Sequence, residues 1–517
     1  MKILFIQSTP YQRNDKHQKL DQSGKNSSRI DQNSSCIVQN ANHSIQKPDY
    51  NGQNASFSDQ NSNQKGQKPD DSDQNSNHSC QNANQNEQIT DHSNLQLIKK
   101  SRLYFVGLAP AILASLIPDD ISFEVCLETI EDVDFETDAD LIAISGMGHA
   151  IVRSIDIAKK FKALGKTVVM GGYMASLMPE ETKKYCDSVL IGDGELSFPI
   201  MVKDYQARVL KPFYNMPLTE LTYPLPRYEL LANKKIGDFL PVQAGRGCPN
   251  TCSFCSVYCL YRGRYLKRNI DEVIRDLKRV KELGFNKFLL LDDNIFSDIP
   301  YLLELCREIK KLSMKWLSQC SISIADNKEV LTAVADSGCI SLSFGIESIS
   351  QESLDSMNKS WAKVSRYSEQ LKKITDAGID ISTEMVVGAD GDTLASIRET
   401  AKFIVDNKIV VPRFYILTPI PGTVFFDEMK FQNRIINDDI YSYNGTEAVH
   451  QPINMSPSEL TDAYWQLYND VFKISAIIKR TILRKDFIKS PLKYLFYLYI
   501  NLYYRYQIKK GITPNII

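Results

Sequence analysis

Two consecutive parallel α/β layers followed by a helical tail are what this sequence predicts, and three observations predict them. Short apolar β-type runs alternate with helical periodicities up to about residue 215, six further βα units occupy 239–428, and the pattern over 429–517 is mostly helical. The first series gives a doubly wound parallel sheet, which binds ligands at the carboxyl ends of its strands. The second gives a parallel, partial (β/α)6 barrel. Between them, 216–238 is a linker that carries YPLPRYELL at 223–231.

MKILFIQ is the first strand; its single Lys, short apolar run and lack of a small-residue cleavage site do not make a secretory signal. From 12 to 94 roughly half the residues are Asn, Gln or Ser with almost no apolar periodicity, so this insert is expected to be disordered. It is repetitive: DQNS begins at 31, 59 and 73, QKPD at 46 and 67, and QNAN at 39 and 81, all at multiples of seven but without the apolar seam of a coiled coil. Lengthening a surface loop to this size costs only ~2 kcal/mol in closure entropy, so a folded domain made of 1–11 and 95–215 tolerates it. Four of the six histidines (His17, His43, His78 and His92) fall in the insert and are discounted as ligands.

Past the insert come helical VGLAPAILASLI, then FEVCLE, DLIAIS, a helix near 152–164, TVVMGG, and SVLIGDGE before another helix. The strand ends carry Ser8-Thr9-Pro10, Ser145-Gly146-Met147-Gly148-His149, Gly171-Gly172 and Gly192-Asp193-Gly194-Glu195. Small residues let a ligand approach the backbone, so four such loops on one edge describe a binding crevice. In the second series the strands are placed near 240–244, 287–292, 316–323, 340–346, 380–387 and 412–417, with helices such as 270–283 and 301–312 between them.

Lys and Arg number 61 against 62 Asp and Glu, a formal charge of −1, which leaves no global basic field for nucleic acid. The 11 cysteines do not form the even framework of a small secreted protein, and three crowd between 248 and 255. They point to a reducing, cytoplasmic compartment and a metal site. No run approaches the ~18 apolar residues of a membrane span. The nearest, YLFYLYINLYY at 494–504 between Lys493 and Arg505, permits an interfacial segment, but packing on its own protein is the favoured reading.

The sharpest chemical signal is GRGCPNTCSFCSV, which sets Cys248, Cys252 and Cys255 in the spacing C-x3-C-x2-C just after the first barrel strand. Three thiolates can hold three irons of a [4Fe–4S] cluster and leave the fourth open. Zinc is the alternative, yet tetrahedral sites favour paired C-x2-C units or Cys with His, and neither accompanies this triplet. Cys259 is close enough to be a fourth ligand but is read as a bystander.

These residues resemble the radical S-adenosylmethionine (SAM) enzymes, in the subgroup with an N-terminal cobalamin-binding-like domain. Phe254 matches the aromatic before the third Cys, and Gly263-Arg264 with Arg268 matches the basic stretch after the cluster loop. LLLDDNIF (289–296), WLSQCSISIA (316–325), SFGIES (343–348), TEMVVGADGDT (383–393) and ILTPIPGT (416–423) match successive strand-end motifs in the same order. In the front domain Gly171-Gly172, MPEE (178–181) and GDGE (192–195) match, whereas the D-x-H-x-x-G motif that gives cobalt an axial His is absent, and Tyr173-Met174 stands where relatives often have His.

The resemblance implies a Rossmann-like cobalamin-binding domain, a TIM-like partial barrel and a helical C-terminal region. It implies that the open iron binds the amino and carboxylate groups of SAM, whose reductive cleavage gives a 5′-deoxyadenosyl radical, with electrons from a flavodoxin or ferredoxin. Asp292, Asp293 and Asn294 would lie near the methionyl ammonium, or else form a helix cap. Glu347 would bind the ribose hydroxyls, or else form a barrel-mouth salt bridge. Gly388 and the PIPGT turn would line the adenine pocket. Ser145, Gly146, Met147, Gly171, Gly172, Gly192, Gly194 and Glu195 would hold cobalamin, with His149 as a further candidate contact.

The function so implied is cobalamin-dependent methylation of an unactivated centre in a small molecule, lipid-like or tetrapyrrole. Radical cyclisation or rearrangement without methyl transfer is the alternative, and a non-catalytic cobalamin sensor a third. Methylthiolation of tRNA is disfavoured, because the extra N-terminal cysteines and RNA-binding barrel of that family are not evident. The segment 446–468, with Trp465, is expected to cover the barrel mouth, and His450 is either a proton carrier or an inert loop residue.

Overall fold

The structure, a computed structural model, describes residues 1–9, 11–13, 95–97, 105–146, 148 and 150–514. Nearly all of the 12–94 segment, with Met147 and His149, lies outside the described residues, so the readings made of them are not addressed below.

The first sheet is built from β1 (Lys2–Gln7) and, past a separate ladder of β2 (Tyr11–Arg13) and β3 (Leu95–Leu97), from β4 (Ser122–Leu127), β5 (Leu141–Ser145), β6 (Thr167–Gly171), β7 (Ser188–Ile191) and β8 (Phe213–Asn215). Its order is β4-β1-β5-β6-β7-β8 with every neighbouring pair parallel. The order reverses at β1, so the switch point, where helices on the two faces diverge and leave a crevice, lies between the ends of β1 and β5. Both faces are covered, which is why these strands read as continuous apolar runs. Along β1 the pleat sends Ile3 and Phe5 to one core, with Phe123 and Phe198, and Leu4 and Ile6 to the other, with Ile144 and Phe161.

The β2–β3 ladder is antiparallel, with Tyr11 opposite Leu97 and Arg13 opposite Leu95. Gln12 and Arg13, expected to start the structureless insert, therefore belong to a strand.

The second sheet contains β9 (Phe239–Gln243), β12 (Lys287–Leu291), β13 (Lys315–Cys320), β14 (Cys339–Glu347), β15 (Asp380–Val387) and β16 (Val411–Ile416); β10 (Gly245–Gly247) and β11 (Tyr265–Lys267) form a small ribbon beside it. All six strands are parallel and follow chain order from β9 to β16, and these two end strands do not pair with each other, so the barrel is partial. The open edge at β16 is managed: the Tyr468 hydroxyl accepts the Phe414 N–H at 3.0 Å and lies 3.1 Å from the Phe414 carbonyl, so the helix Pro457–Val471 meets backbone groups a next strand would have met.

The linker contributes to the core: Leu218, Leu221, Tyr223, Tyr228 and Leu231 are buried with Leu240 and Val242 of β9. Two sequence expectations change. Strand β13 stops at Cys320, where a 3-10 turn, Ile322–Asp326, takes over. Residues 432–456 are largely irregular rather than helical; the long helices begin at Pro457, followed by Ile474–Thr481 and Pro491–Ile508. Among the described residues no helix is long and apolar enough to cross a membrane.

Candidate active site

The cysteine loop hangs from the β10–β11 ribbon, in which Gly245 pairs with Lys267 and Gly247 with Tyr265. Gly247 is obligatory there: its φ is +87° and a Cβ would stand 2.1 Å from the Arg264 carbonyl oxygen. Inside the loop the Ser253 amide donates to the Met357 carbonyl, and the Phe425 amide to the Ser253 carbonyl, so two strand-end segments clamp it. Cys252 is buried, Cys248 and Cys255 partly so, and Cys255 caps the helix Ser256–Tyr261, which contains Cys259. Burial pushes all three thiols up, Cys255 to about 12.

Among the described residues no three His, Cys, Asp or Glu side chains converge as a single ion requires. A loop whose donors are three sulfurs fits an iron–sulfur cluster, in which each thiolate takes its own iron.

Beside this loop lies the end of β12. Asp292 accepts the Tyr265 hydroxyl at 2.6 Å and the Asn294 amide at 2.9 Å. Asp293 accepts the Gly247 amide at 2.7 Å. Asn294 Oδ1 accepts the amides of Ser321 and Phe296, and its Nδ2 lies 3.8 Å from Cys248 Sγ. Asn294 therefore does cap the following 3-10 turn, Ile295–Ser297, while fixing Cys248. Asp292 is buried, and burial pushes its carboxyl up to about 7 against the opposing hydrogen bond from Tyr265.

At the end of β14 the backbone is bulged between Gly345 and Glu347, and Glu347 holds φ +62°, a strained conformation for a non-glycine residue. Its carboxylate is 2.8 Å from the buried Lys359 ammonium, which also donates to the Gly345 carbonyl. The salt-bridge alternative for Glu347 is thus present. Lys359 was not legible from the sequence; it is the buried cation nearest the thiols in electrostatic effect and opposes the rise at Cys248 and Cys252.

Gly388, just past β15, is held from two sides. Asp392 accepts the amides of Gly388 and Ala389 at 2.9 and 3.2 Å, and the buried His450 places Nε2 3.2 Å from the Gly388 carbonyl. Through this contact His450 ties the irregular 432–456 segment to this loop. Asn454, which donates to the carbonyls of Asp390 and Asp392, and the Arg434–Asp390 pair do the same. The helix after it reaches the same loop, since a Cβ on Gly388 would stand 2.5 Å from the Leu460 side chain, while Trp465 packs with Tyr464 and Tyr468.

In the first sheet Gln7, Ser145 and Gly171 stand level across β1, β5 and β6. Gly146 and Gly194 are small for packing reasons: a Cβ would stand 2.5 Å from Ser8 Oγ and 3.0 Å from Leu113 respectively. The Gly172 carbonyl accepts the Ser176 hydroxyl, whose oxygen accepts the Gly192 amide at 2.8 Å, tying two loops together. Gly148 and Gly192, at φ +51° and +80°, have open space where a Cβ would be.

Glu195 is ion-paired. Arg246, one residue before Gly247, places Nη2 2.6 Å from Glu195 and Nη1 2.7 Å from Asp193, and the Tyr261 hydroxyl also donates to Asp193 at 2.8 Å. The carboxyl ends of the two sheets therefore face each other across a partly buried ionic seam, with the glycine-lined crevice on one side and the cysteine loop on the other.

Comparison with known proteins agrees with this geometry. Residues 242–404 match the Radical SAM superfamily. The chain is 31% identical over 353 residues to bacteriochlorophyllide d C-12(1)-methyltransferase of Chlorobaculum tepidum, covering 66% of this chain and 76% of that protein. It is 24% identical to hopanoid C-2 methylase of Rhodopseudomonas palustris, covering 63% and 65%. Among solved structures, the radical SAM methyltransferase TsrM from Kitasatospora setae, with cobalamin and a [4Fe–4S] cluster, shares the fold at TM-score 0.54 and 17% identity, over 65% of this chain and 76% of that one. Two apposed parallel sheets, a C-x3-C-x2-C loop at their seam and this similarity over three quarters of a characterised relative place the chain in the radical S-adenosylmethionine superfamily, among its cobalamin-dependent methyltransferases.

Proposed function

We propose that this enzyme methylates an unactivated carbon on a large, ring-built, largely apolar substrate of the tetrapyrrole or polycyclic-lipid class. The observation that carries the reading is the Arg246 seam, which holds the glycine-lined crevice opposite the cysteine loop so that two cofactors can address one substrate. The names of the relatives, methylases of a bacteriochlorophyllide and of a hopanoid, support the substrate class. When bound, a [4Fe–4S] cluster, SAM and cobalamin supply the radical, the methyl source and the methyl carrier. The chain's own residues orient: Cys248, Cys252 and Cys255 hold the cluster, Asp292 takes the SAM ammonium, Glu347 the ribose, Phe254 and Gly388 the remaining faces. Ser145, Gly171, Gly172 and Gly192 line the cobalamin crevice. A flavodoxin- or ferredoxin-type protein supplies electrons.

The test is anaerobic reconstitution with SAM carrying a trideuterated methyl group, offered tetrapyrrole and triterpenoid substrates, with products read by mass spectrometry. A deuteromethylated product alongside 5′-deoxyadenosine is expected; a cyclised or rearranged product without the label overturns the reading.

Asp292 adds a pH dependence. Its carboxyl, raised to about 7 by burial, must lose its proton to accept the N–H groups of the SAM amino nitrogen, so lowering the pH through this value opposes binding. The SAM dissociation constant of the reconstituted enzyme should rise about tenfold between pH 8 and pH 6, by equilibrium dialysis, and Asp292→Asn should flatten the profile.

A further inference from the structure

The helix Pro491–Ile508 is packed on one side only. Tyr494, Asn501, Tyr504 and Ile508 are buried, and Asn501 accepts the buried Arg480 guanidinium at 2.9 Å. On the opposite side Leu492, Leu495, Phe496, Tyr499, Leu502 and Tyr506 are exposed, Leu492 by 82% and Tyr499 by 66%. At 3.6 residues per turn these six fall within one third of the helix circumference, so the stripe is continuous. It is extended by Ile488, 86% exposed, in the preceding turn Phe487–Lys489. A row of large apolar side chains left in water is the kind of surface that marks an interaction site.

The charges around the stripe select its partner. Between 473 and 510 the sequence has ten Lys and Arg and a single acid, Asp486, in a chain whose formal charge is −1. Asp486 is already spent on Arg484 and Tyr494. Lys479, Lys485, Lys489, Lys509 and Lys510 are exposed, Lys473 pairs with Asp470 at 3.5 Å, and the Lys510 ammonium sits 4.2 Å from the Tyr506 ring centroid. A second copy brought face to face would oppose lysine with lysine. A bilayer carrying anionic headgroups instead offers hydrocarbon to the Leu and Phe side chains, the headgroup zone to the Tyr rings, and negative charge to the lysines.

We infer that this face is a docking surface for the anionic surface of a lipid bilayer, on which the helix lies in the plane of the interface without crossing it. The inference stands on the exposed stripe and its lysines and does not require the proposed substrate.

The experiment is sedimentation of the full-length, cluster-loaded protein with phosphatidylcholine vesicles, with and without ~30% phosphatidylglycerol, and with free glycerol phosphate as competitor. Partition onto the anionic vesicles should exceed that onto neutral ones by roughly tenfold, fall back in ~0.5 M salt, and survive the soluble competitor. L492Q/L495Q/Y499Q should lose binding while keeping its iron content and circular dichroism. As a check that needs no disruptive change, Tyr499→Trp should gain fluorescence that brominated acyl chains quench. Failure of the wild type to bind anionic vesicles, binding by the triple variant equal to wild type, absence of quenching at Tyr499→Trp, or a wild-type dimer that the triple variant dissolves would each overturn the assignment.

Discussion

Changing Cys248, Cys252 or Cys255 singly to Ala is expected to reduce 5′-deoxyadenosine formation to the uncatalysed background, while Cys259→Ala leaves it nearly intact. The contrast follows from position. The first three thiols are the donors of the clamped loop, and losing one leaves two sulfurs for a cluster that already relies on three. Cys259 lies inside the helix Ser256–Tyr261, one turn past the loop. Anaerobic reconstitution, iron and sulfide quantification and deoxyadenosine detection check both halves, and iron retention in a triplet variant equal to that of wild type would contradict the ligand assignment.

The second large effect is expected at Arg246. Replacing it with Met leaves Asp193 and Glu195 at the seam without their cation, and Glu195 is 5% exposed. Breaking such a pair by removing one partner costs about 3–5 kcal/mol, most of it from stranding a desolvated charge. The denaturant midpoint should therefore fall sharply, and neutralising the stranded groups, as R246M/D193N/E195Q, should recover much of the loss. Activity should respond differently from stability. Because the same guanidinium sets the distance between the two cofactor loops, the fraction of radical events that end in methylation should fall, with more deoxyadenosine released per methyl transferred. A structural role alone would lower both in proportion.

Much of this architecture was legible in the linear pattern, and the exceptions have one physical origin. Alternating apolar runs located β9, β12 and β15 to within a residue or so, because burial on both faces writes itself into local composition. The cysteine spacing located the cluster loop, because its ligands are contiguous. Lys359 and the partnership of Arg246 with Asp193 and Glu195 were not legible, since side-chain contacts between residues 12 to 53 positions apart leave no period. The nearest signal was charge complementarity, an Arg beside the cysteines and two acids in GDGE. The prolines of 223–231 mark the linker, but nothing in their pattern shows that its Leu and Tyr residues fill core. Residues 432–456 were read as helical, but their polar atoms serve Gly388 and Asp390 rather than a helical ladder.

The short ladder of β2 and β3 separates the length of the repeat tract from the fold that carries it. Cross-strand pairing of Tyr11 with Leu97 and Arg13 with Leu95 brings the two boundaries of the repeat tract side by side. Tracts of different length can then be joined between these two strands without moving either boundary. Natural variants differing by many repeats should have interchangeable catalytic halves, and a tight turn joining residue 13 to residue 95 is the natural point for excision.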